Sequence, residues 1–139
     1  MSIHQILDIA STGMAAQRLR VQLIASNVAN SETTRTREGG PFRRKEAVFQ
    51  SRDMGFRDAL AAAGVRVAGI RASQDPFPTR YEPGHPDADA NGTVTYPNIN
   101  PVEEMVNLTE ASRAYEANIA VVRAARTMAT SALEILKIQ

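Results

Sequence analysis

The stretch IHQILDIASTGMAAQRLRVQLIASNVAN, residues 3–30, decides the fold of this 139-residue chain. It contains no Pro and a single Gly, and its apolar residues recur at alternating steps of three and four, the period of a coiled-coil seam. The members of this N-terminal seam are Ile3, Leu7, Ala10, Met14, Val21, Ile24 and Val28, with Gln17 as a polar interruption. A helix of this length extends roughly 42 Å. That is too long for one small core, so it must pack against another long helix.

A second long helix is predicted near the C-terminus, where Asn100 supplies a capping side chain and Pro101 is favoured as the first helical residue. Glu103 suits the positive end of the helix dipole. The members of this C-terminal seam are Met105, Leu108, Ser112, Tyr115, Ile119, Val122, Arg126, Ala129, Leu133 and Leu136. A second register, which includes Asn118, fits equally well. Eight alanines between positions 111 and 132 predict the closest helix–helix approach along this part.

The middle of the chain carries seven of the eight Gly and six of the seven Pro, which favours turns and short strands over helix. Strands are predicted at 42–49, 65–70, 79–82 and 93–96. The first would contain the basic run Arg43–Lys45. Asn91–Gly92 would form the turn of a hairpin between the last two strands. Residues 53–63 would form a short helix or an irregular crossing.

These elements predict an α+β fold, in which two long terminal helices pack as a coiled coil and a small β-rich module is inserted between them. The predicted divisions are an N-terminal helix at 1–30, a β-rich module at 31–100 with an irregular segment at 35–63, and a C-terminal helix at 101–139. The two seams together have more apolar surface than one small domain can bury. They therefore indicate contact with other chains.

Composition excludes several classes of function. The chain has no Cys, and 16 basic against 15 acidic residues give a formal charge of +1. Disulfides, thiolate metal sites and a Cys nucleophile are therefore excluded, and bulk electrostatic capture of nucleic acid is not indicated. No apolar run is long enough to span a bilayer, and Met1–Gln5 lacks the features of a cleaved signal peptide. We therefore expect no membrane insertion and no cleaved signal.

The motifs that carry chemistry in other proteins are weak in this chain. Residues 87–92 match the first half of a calcium-binding EF-hand loop, but the twelfth position, which should be Glu, is Asn98. A polar hairpin loop is the better interpretation. The two histidines, His4 and His85, have no partner at the spacing of a metal or nucleophile site. We expect no catalytic residue, no metal and no cofactor, and hence no enzyme.

Charge is unevenly distributed along the middle of the chain. The segment 35–57 has seven basic residues, whereas 82–110 has six acidic residues and no Lys or Arg. Complementary segments of this kind suit a contact within the chain or a head-to-tail contact between subunits. The alternatives are a solvated loop and a nucleic-acid site, for which Phe42, Phe49 and Phe56 would supply aromatic side chains.

Asn27 and Asn30 occupy the last turn of the N-terminal helix. A pair of amides there permits two interpretations. They are caps of a frayed helix end, or they are buried amides that fix the register between packed helices.

Both ends of the chain resemble a known family. The stretch ASNVAN at 25–30 is similar to the N-terminal motif of flagellar rod, hook and related axial proteins. NPVEEMV at 100–106 and SRAYEAN at 112–118 are similar to their C-terminal motif. Within that family, residues 81–100 resemble the proximal-rod members, whereas 35–63 match no motif of the family.

This resemblance implies a structural subunit of the rod in the bacterial flagellar basal body, where the rod spans the periplasm. It also implies export by the flagellar type III apparatus, and its implied partners are other copies of the chain and other rod proteins. The predicted assembly interface comprises Ile3, Leu7, Met14, Val21, Ile24, Asn27, Val28, Asn30, Met105, Leu108, Tyr115, Asn118, Ile119, Val122, Leu133 and Leu136. We expect the terminal helices to be weakly ordered in a free monomer and to fold on assembly.

Two other classes stay open on the residues alone. A self-contained coiled-coil adaptor would form a stable dimer at low concentration. A nucleic-acid-binding module that uses segment 35–57 would bind with an affinity that falls steeply with salt.

Overall fold

The computed structural model describes residues 3–51 and 64–137, with the backbone alone described at 136 and 137. The elements in chain order are helix α1 (Ile3–Ala29), strands β1 (Lys45–Ser51), β2 (Val65–Ala72), β3 (Thr79–Tyr81) and β4 (Thr93–Thr95), and helix α2 (Pro101–Lys137). The predicted α+β fold, with two long terminal helices around a small β-rich insertion, is confirmed.

The two helices pack against each other in antiparallel orientation. Asn27 at the end of α1 hydrogen-bonds Glu104 at the start of α2. Near the middle of α1, Gly13 faces Asn118, and a Cβ at position 13 would lie only 3.2 Å from the Asn118 amide nitrogen. The long partner that the N-terminal seam requires is therefore α2.

Small side chains dominate the core. Among the described residues, the buried apolar side chains are Ala10, Ala16, Ile24, Val94, Ala111 and Ala125. Alanine lets two helices approach closely, but each alanine buries little area. The helix contact is therefore close, and the core that it forms is thin.

Helix α2 is longer than the helix it packs on. The contacts between the helices place Ile3 level with about residue 128 of α2. The last turns of α2, a length of roughly 14 Å, therefore extend past the first described residue of α1. Leu133 and Ile135 in this extension are exposed.

Strands β1 and β2 form an antiparallel ribbon that runs from the pair Lys45 and Ala72 to the pair Ser51 and Val65. The predicted start of the first strand at Phe42 is wrong, because the strand begins at Lys45. The Phe42 N–H donates to the Thr33 carbonyl instead, which ties this segment to the turn after α1. The interval predicted at 53–63 lies outside the described residues.

Strands β3 and β4 form the predicted hairpin. Gly92 in its loop has a φ of +73°, a conformation that favours glycine, and one carboxylate oxygen of Asp89 accepts the N–H groups of Asn91 and Thr93, each at 2.8 Å. The loop is therefore organised by its own backbone and side chains. Within the described ranges, neither helix combines the length and hydropathy that a bilayer-spanning helix needs.

Candidate functional site

Three elements meet at Asn27, the first asparagine of the ASNVAN motif. Its side chain is 1% exposed and hydrogen-bonds both backbone groups of Lys45. The amide nitrogen donates to the Lys45 carbonyl at 3.0 Å, and the amide oxygen accepts the Lys45 N–H at 2.9 Å. One side chain thus pairs with the first residue of β1 as a neighbouring strand would.

The same amide reaches α2. Asn27 Nδ2 donates to Glu104 Oε2 at 2.9 Å, and Glu104 is also 1% exposed. Its other carboxylate oxygen, Oε1, accepts from Arg44 Nε at 2.8 Å and lies 2.7 Å from Arg44 Nη2. Arg44 also pairs with Glu46 on β1. We call Asn27, Arg44 and Glu104 the junction cluster.

The electrostatics of the cluster are balanced. Burial alone would lower the pKa of Arg44, but its hydrogen bond to Glu104 and the charges of Glu104 and Glu46 raise the pKa above its ordinary value. Arg44 therefore stays charged and compensates the buried carboxylate. Removal of one partner from such a pair leaves an uncompensated charge inside the protein.

The local sequence explains why Glu104 is positioned there. Asn100 Oδ1 accepts the Val102 N–H at 3.1 Å, so the predicted cap of α2 is present. Pro101 is the first residue of the helix, also as predicted. Glu104 follows within the first turn, where a negative charge is favoured by the helix dipole.

Asn30 has a different role from Asn27. Its amide nitrogen donates to the Ser26 carbonyl at 2.8 Å, and its amide oxygen accepts from the Thr33 hydroxyl at 3.2 Å. These contacts are local and shape the turn after α1. Of the two interpretations of the asparagine pair, a buried amide between the helices describes Asn27, and a helix-end cap describes Asn30.

The basic and acidic segments contact each other within the chain. Arg44 binds Glu104, and Arg35 lies 3.7 Å from Asp87. Thr34 also donates to Asp87, at 2.7 Å. Asp87, which the EF-hand pattern places among calcium ligands, therefore links the turn after α1 to the hairpin loop. No group of three or more metal-ligating side chains occurs within 3–51 and 64–137.

The residues predicted for the assembly interface differ in burial. Ile24 and Asn27 are buried. Those that are partly buried are Leu7, Met14, Val21, Val28, Asn30, Leu108, Tyr115, Asn118, Ile119 and Val122. Ile3, Met105 and Leu133 are exposed, and the side chain of Leu136 is outside the described part of the chain. Packing within one chain therefore covers much of both seams.

A second apolar stripe on α2 was missed by the sequence analysis. It consists of Val102, Val106, Val121, Met128 and Ile135, which are between 47% and 69% exposed. At about 100° per residue they fall within an arc of about 100°, opposite the face that holds Glu104 and Ala111. We call these five residues the outer stripe. The seven-residue spacing of its last three members is a signal that could have revealed it.

Comparison with known proteins accounts for both ends of this architecture. A family model described as "Flagella basal body rod protein" matches residues 7–35. Another, described as "Flagellar basal body rod FlgEFG protein C-terminal", matches residues 90–135. The two packed helices and the junction cluster's Asn27 and Glu104 thus lie in segments typical of flagellar basal-body rod proteins.

The similarity to individual rod proteins extends over nearly the whole chain. The flagellar basal-body rod protein FlgC of Borreliella burgdorferi is 42% identical, over 99% of each chain. FlgC of Salmonella typhimurium is also 42% identical, over 97% of this chain and 98% of that protein. FlgC of Bacillus subtilis is 37% identical, over 99% of this chain and 100% of that protein. The chain belongs to the FlgC family of flagellar basal-body rod proteins.

The resemblance to flagellar rod proteins is confirmed by these relatives. The chain is a structural subunit of the flagellar basal-body rod and not an enzyme. Its location is the flagellar basal body, where it assembles with other rod components.

Proposed function

We propose that the chain joins the rod through the outer stripe of α2, together with the exposed members of the two seams. The observation that carries the proposal is that α2 has two apolar faces and α1 covers one of them. The partners are other copies of the chain and other rod proteins. The three divisions predicted from the sequence then have separate roles. The helices at 1–30 and 101–139 form the contacts with neighbouring subunits, and the β-rich module at 31–100 is attached to this helix pair.

The exposure of the outer stripe supports an interface. Val121, Met128 and Ile135 form one line, and Val102 and Val106 form a second apolar patch near the start of α2. Exposed large apolar side chains grouped in this way are an unusual surface for a soluble monomer. Burial of each half-exposed Val, Met or Ile stabilises a contact by about 1 kcal/mol, so the stripe contributes several kcal/mol when a neighbouring helix covers it. Alanines at 117, 120 and 124 lie on the same side of the helix and allow that helix to approach closely.

The extension of α2 past α1 supports a head-to-tail arrangement. Leu133 belongs to the seam that contacts α1, yet it is exposed and lies past Ile3, the first described residue of α1. At the opposite end of the helix pair, Met105 is also exposed. A contact that joins different surfaces of successive subunits builds an open helical filament or tube when its rotation does not close a ring.

We further propose that the flagellar type III apparatus exports the chain without a cleaved signal, and that its section of the rod lies in the periplasm. The chain is expected to bind neither nucleic acid nor the membrane interior. Carboxylates of the same chain already pair with Arg35 and Arg44. This pairing supports the expectation that the chain does not bind nucleic acid.

The test replaces outer-stripe residues with a charge in cells that lack the native chain. Val121→Glu and Met128→Glu are expected to reduce the amount of chain in isolated basal bodies at least tenfold and to abolish swimming in soft agar. Thr130→Glu is the matched control, since Thr130 is exposed on the other side of α2. Circular dichroism of the purified chains in TMAO, which favours the folded state, checks that helix content is unchanged. Incorporation of both stripe variants at the level of the control would refute the proposal.

A further inference from the structure

We propose that the junction cluster sets the register of α1 against α2, so that Asn27, Arg44 and Glu104 are positioning residues for rod assembly. The inference rests on the proposed function, because register decides how the outer stripe is presented to neighbouring subunits.

The apolar contact alone does not define one register. Its buried members on α1 and α2 are mostly alanines, and α2 has eight alanines between 111 and 132. Small side chains interlock weakly, so these alanines resist a slip of one turn, about 5.4 Å, less than large core side chains would. The close approach of Asn118 to Gly13 adds a preference for the native register. Gln17 adds no pairing, because its buried Oε1 has no hydrogen-bond partner among the described residues.

The junction cluster, by contrast, has one arrangement. The amide nitrogen of Asn27 donates to both the Lys45 carbonyl and Glu104, and its oxygen accepts the Lys45 N–H. A slip of one turn in one direction would place Glu104 against Leu23, and a slip in the other would place Asn27 against Leu108. Each slip strands a buried polar group, which is strongly disfavoured. A single buried polar residue fixes the register of coiled coils in the same way.

The role of the junction cluster in setting the register can be distinguished by experiment from a role in stability. Replacement of both members of a buried ion pair with apolar residues often leaves a protein as stable as before, or more so. If the cluster only stabilises, Arg44→Met/Glu104→Met should therefore assemble normally. If it sets the register, the double variant folds and yet populates slipped helix pairs.

The register can be measured on the isolated chain, which has no Cys of its own. Cysteines introduced at the exposed positions Ala15 and Ser131 carry spin labels, and the axial offset between them is roughly 22 Å. A one-turn slip changes this offset by about 5 Å, which pulsed electron resonance resolves. The osmolyte TMAO is added to favour the folded state during the measurement.

The native chain is expected to show one distance, and Arg44→Met/Glu104→Met a second population about 5 Å away. The amount of the double variant incorporated into basal bodies should also fall at least tenfold. Arg20→Met/Glu110→Met is the matched control, because this ion pair joins the same helices at 3.8 Å on the surface. The control should keep the single distance and normal incorporation.

A single native distance in the double variant would overturn the proposal. If the double variant does not fold, Glu104→Met decides the question, since it removes the acceptor for Asn27 while Arg44 keeps its pair with Glu46. It should show both distances, and one native distance would again overturn the proposal. The distance measurement does not require assembly. A failure of the outer stripe as an interface is therefore distinguishable from a failure of the register role.

Discussion

Replacement of Asn27 with Leu tests how much the junction holds the fold together. The substitution nearly conserves the side-chain volume but removes three hydrogen bonds. The two bonds to the Lys45 backbone contribute about 1 kcal/mol each, and the bond to the charged Glu104 contributes about 2 kcal/mol. The leucine recovers about 1 kcal/mol by its greater apolarity. We expect Asn27→Leu to lower the free energy of unfolding by about 3 kcal/mol, a large part of the stability of a small domain.

The assay is urea unfolding in TMAO, followed by circular dichroism. With a slope of about 2 kcal/mol per molar urea, the midpoint of Asn27→Leu should fall by about 1.5 M. Asn30→Leu is the control, since Asn30 bonds only within its own turn among the described contacts; its midpoint should fall by well under half as much. A loss below about 0.5 kcal/mol in Asn27→Leu would refute the reasoning, because surface substitutions have effects of that size.

The variant Asn27→Asp adds a pH dependence to the same test. It keeps an acceptor for the Lys45 N–H but sets a carboxylate beside Glu104. Like charges raise the pKa of the new carboxyl, so the protonated form is favoured in the folded state. The contribution of the new carboxyl to stability should therefore be fully present below its ordinary pKa of about 3.9 and be lost as the pH rises through the raised pKa. As the pH rises above about 3.9, Asn27→Asp should therefore become less stable relative to Asn27→Leu.

Three further outcomes are expected. Gln17→Met should raise the free energy of unfolding by about 1 kcal/mol, because the buried Gln17 Oε1 lacks a hydrogen-bond partner in the described part of the chain; an unchanged urea midpoint would contradict this. The hydrogen bond to Glu82 raises the pKa of Tyr96, so its contribution is present below about pH 10 and is lost as the pH rises through the raised value. The melting temperature of Tyr96→Phe should fall less on alkalinisation than that of the native chain. In hydrogen exchange without osmolyte, amides of 3–29 and 101–137 should exchange fast in the free monomer and become protected when rod partners are added; protection in a dilute sample would favour the self-contained adaptor.

The regular elements could be predicted because their signals are local. The helix period, the Asn100–Pro101 start of α2 and the Asn91–Gly92 turn each depend on neighbours in the chain. Energies of this kind act over one or two turns, and the structure has these elements within a few residues of the predicted bounds. The seam also predicts the need for a long partner helix, because its length exceeds what a small core can cover.

Contacts between distant residues could not be predicted in this way. Nothing in the spacing pairs Asn27 with Glu104, which is 77 positions away. The first strand starts three residues late because the backbone at Phe42 is engaged by Thr33. The outer stripe was missed for a related reason: periodicity shows that α2 is apolar on several sides, but only the position of α1 decides which side stays open.

The sequence by itself determined the two helices, the β-rich insertion, the absence of cysteine chemistry and the flagellar motifs at both ends. The tertiary structure alone decided which carboxylate is buried, which arginine compensates it and which face of α2 is left uncovered. The physical reason is that helix and turn preferences are fixed over a few residues. Burial and charge pairing depend instead on surfaces that meet only when the two ends of the chain pack together.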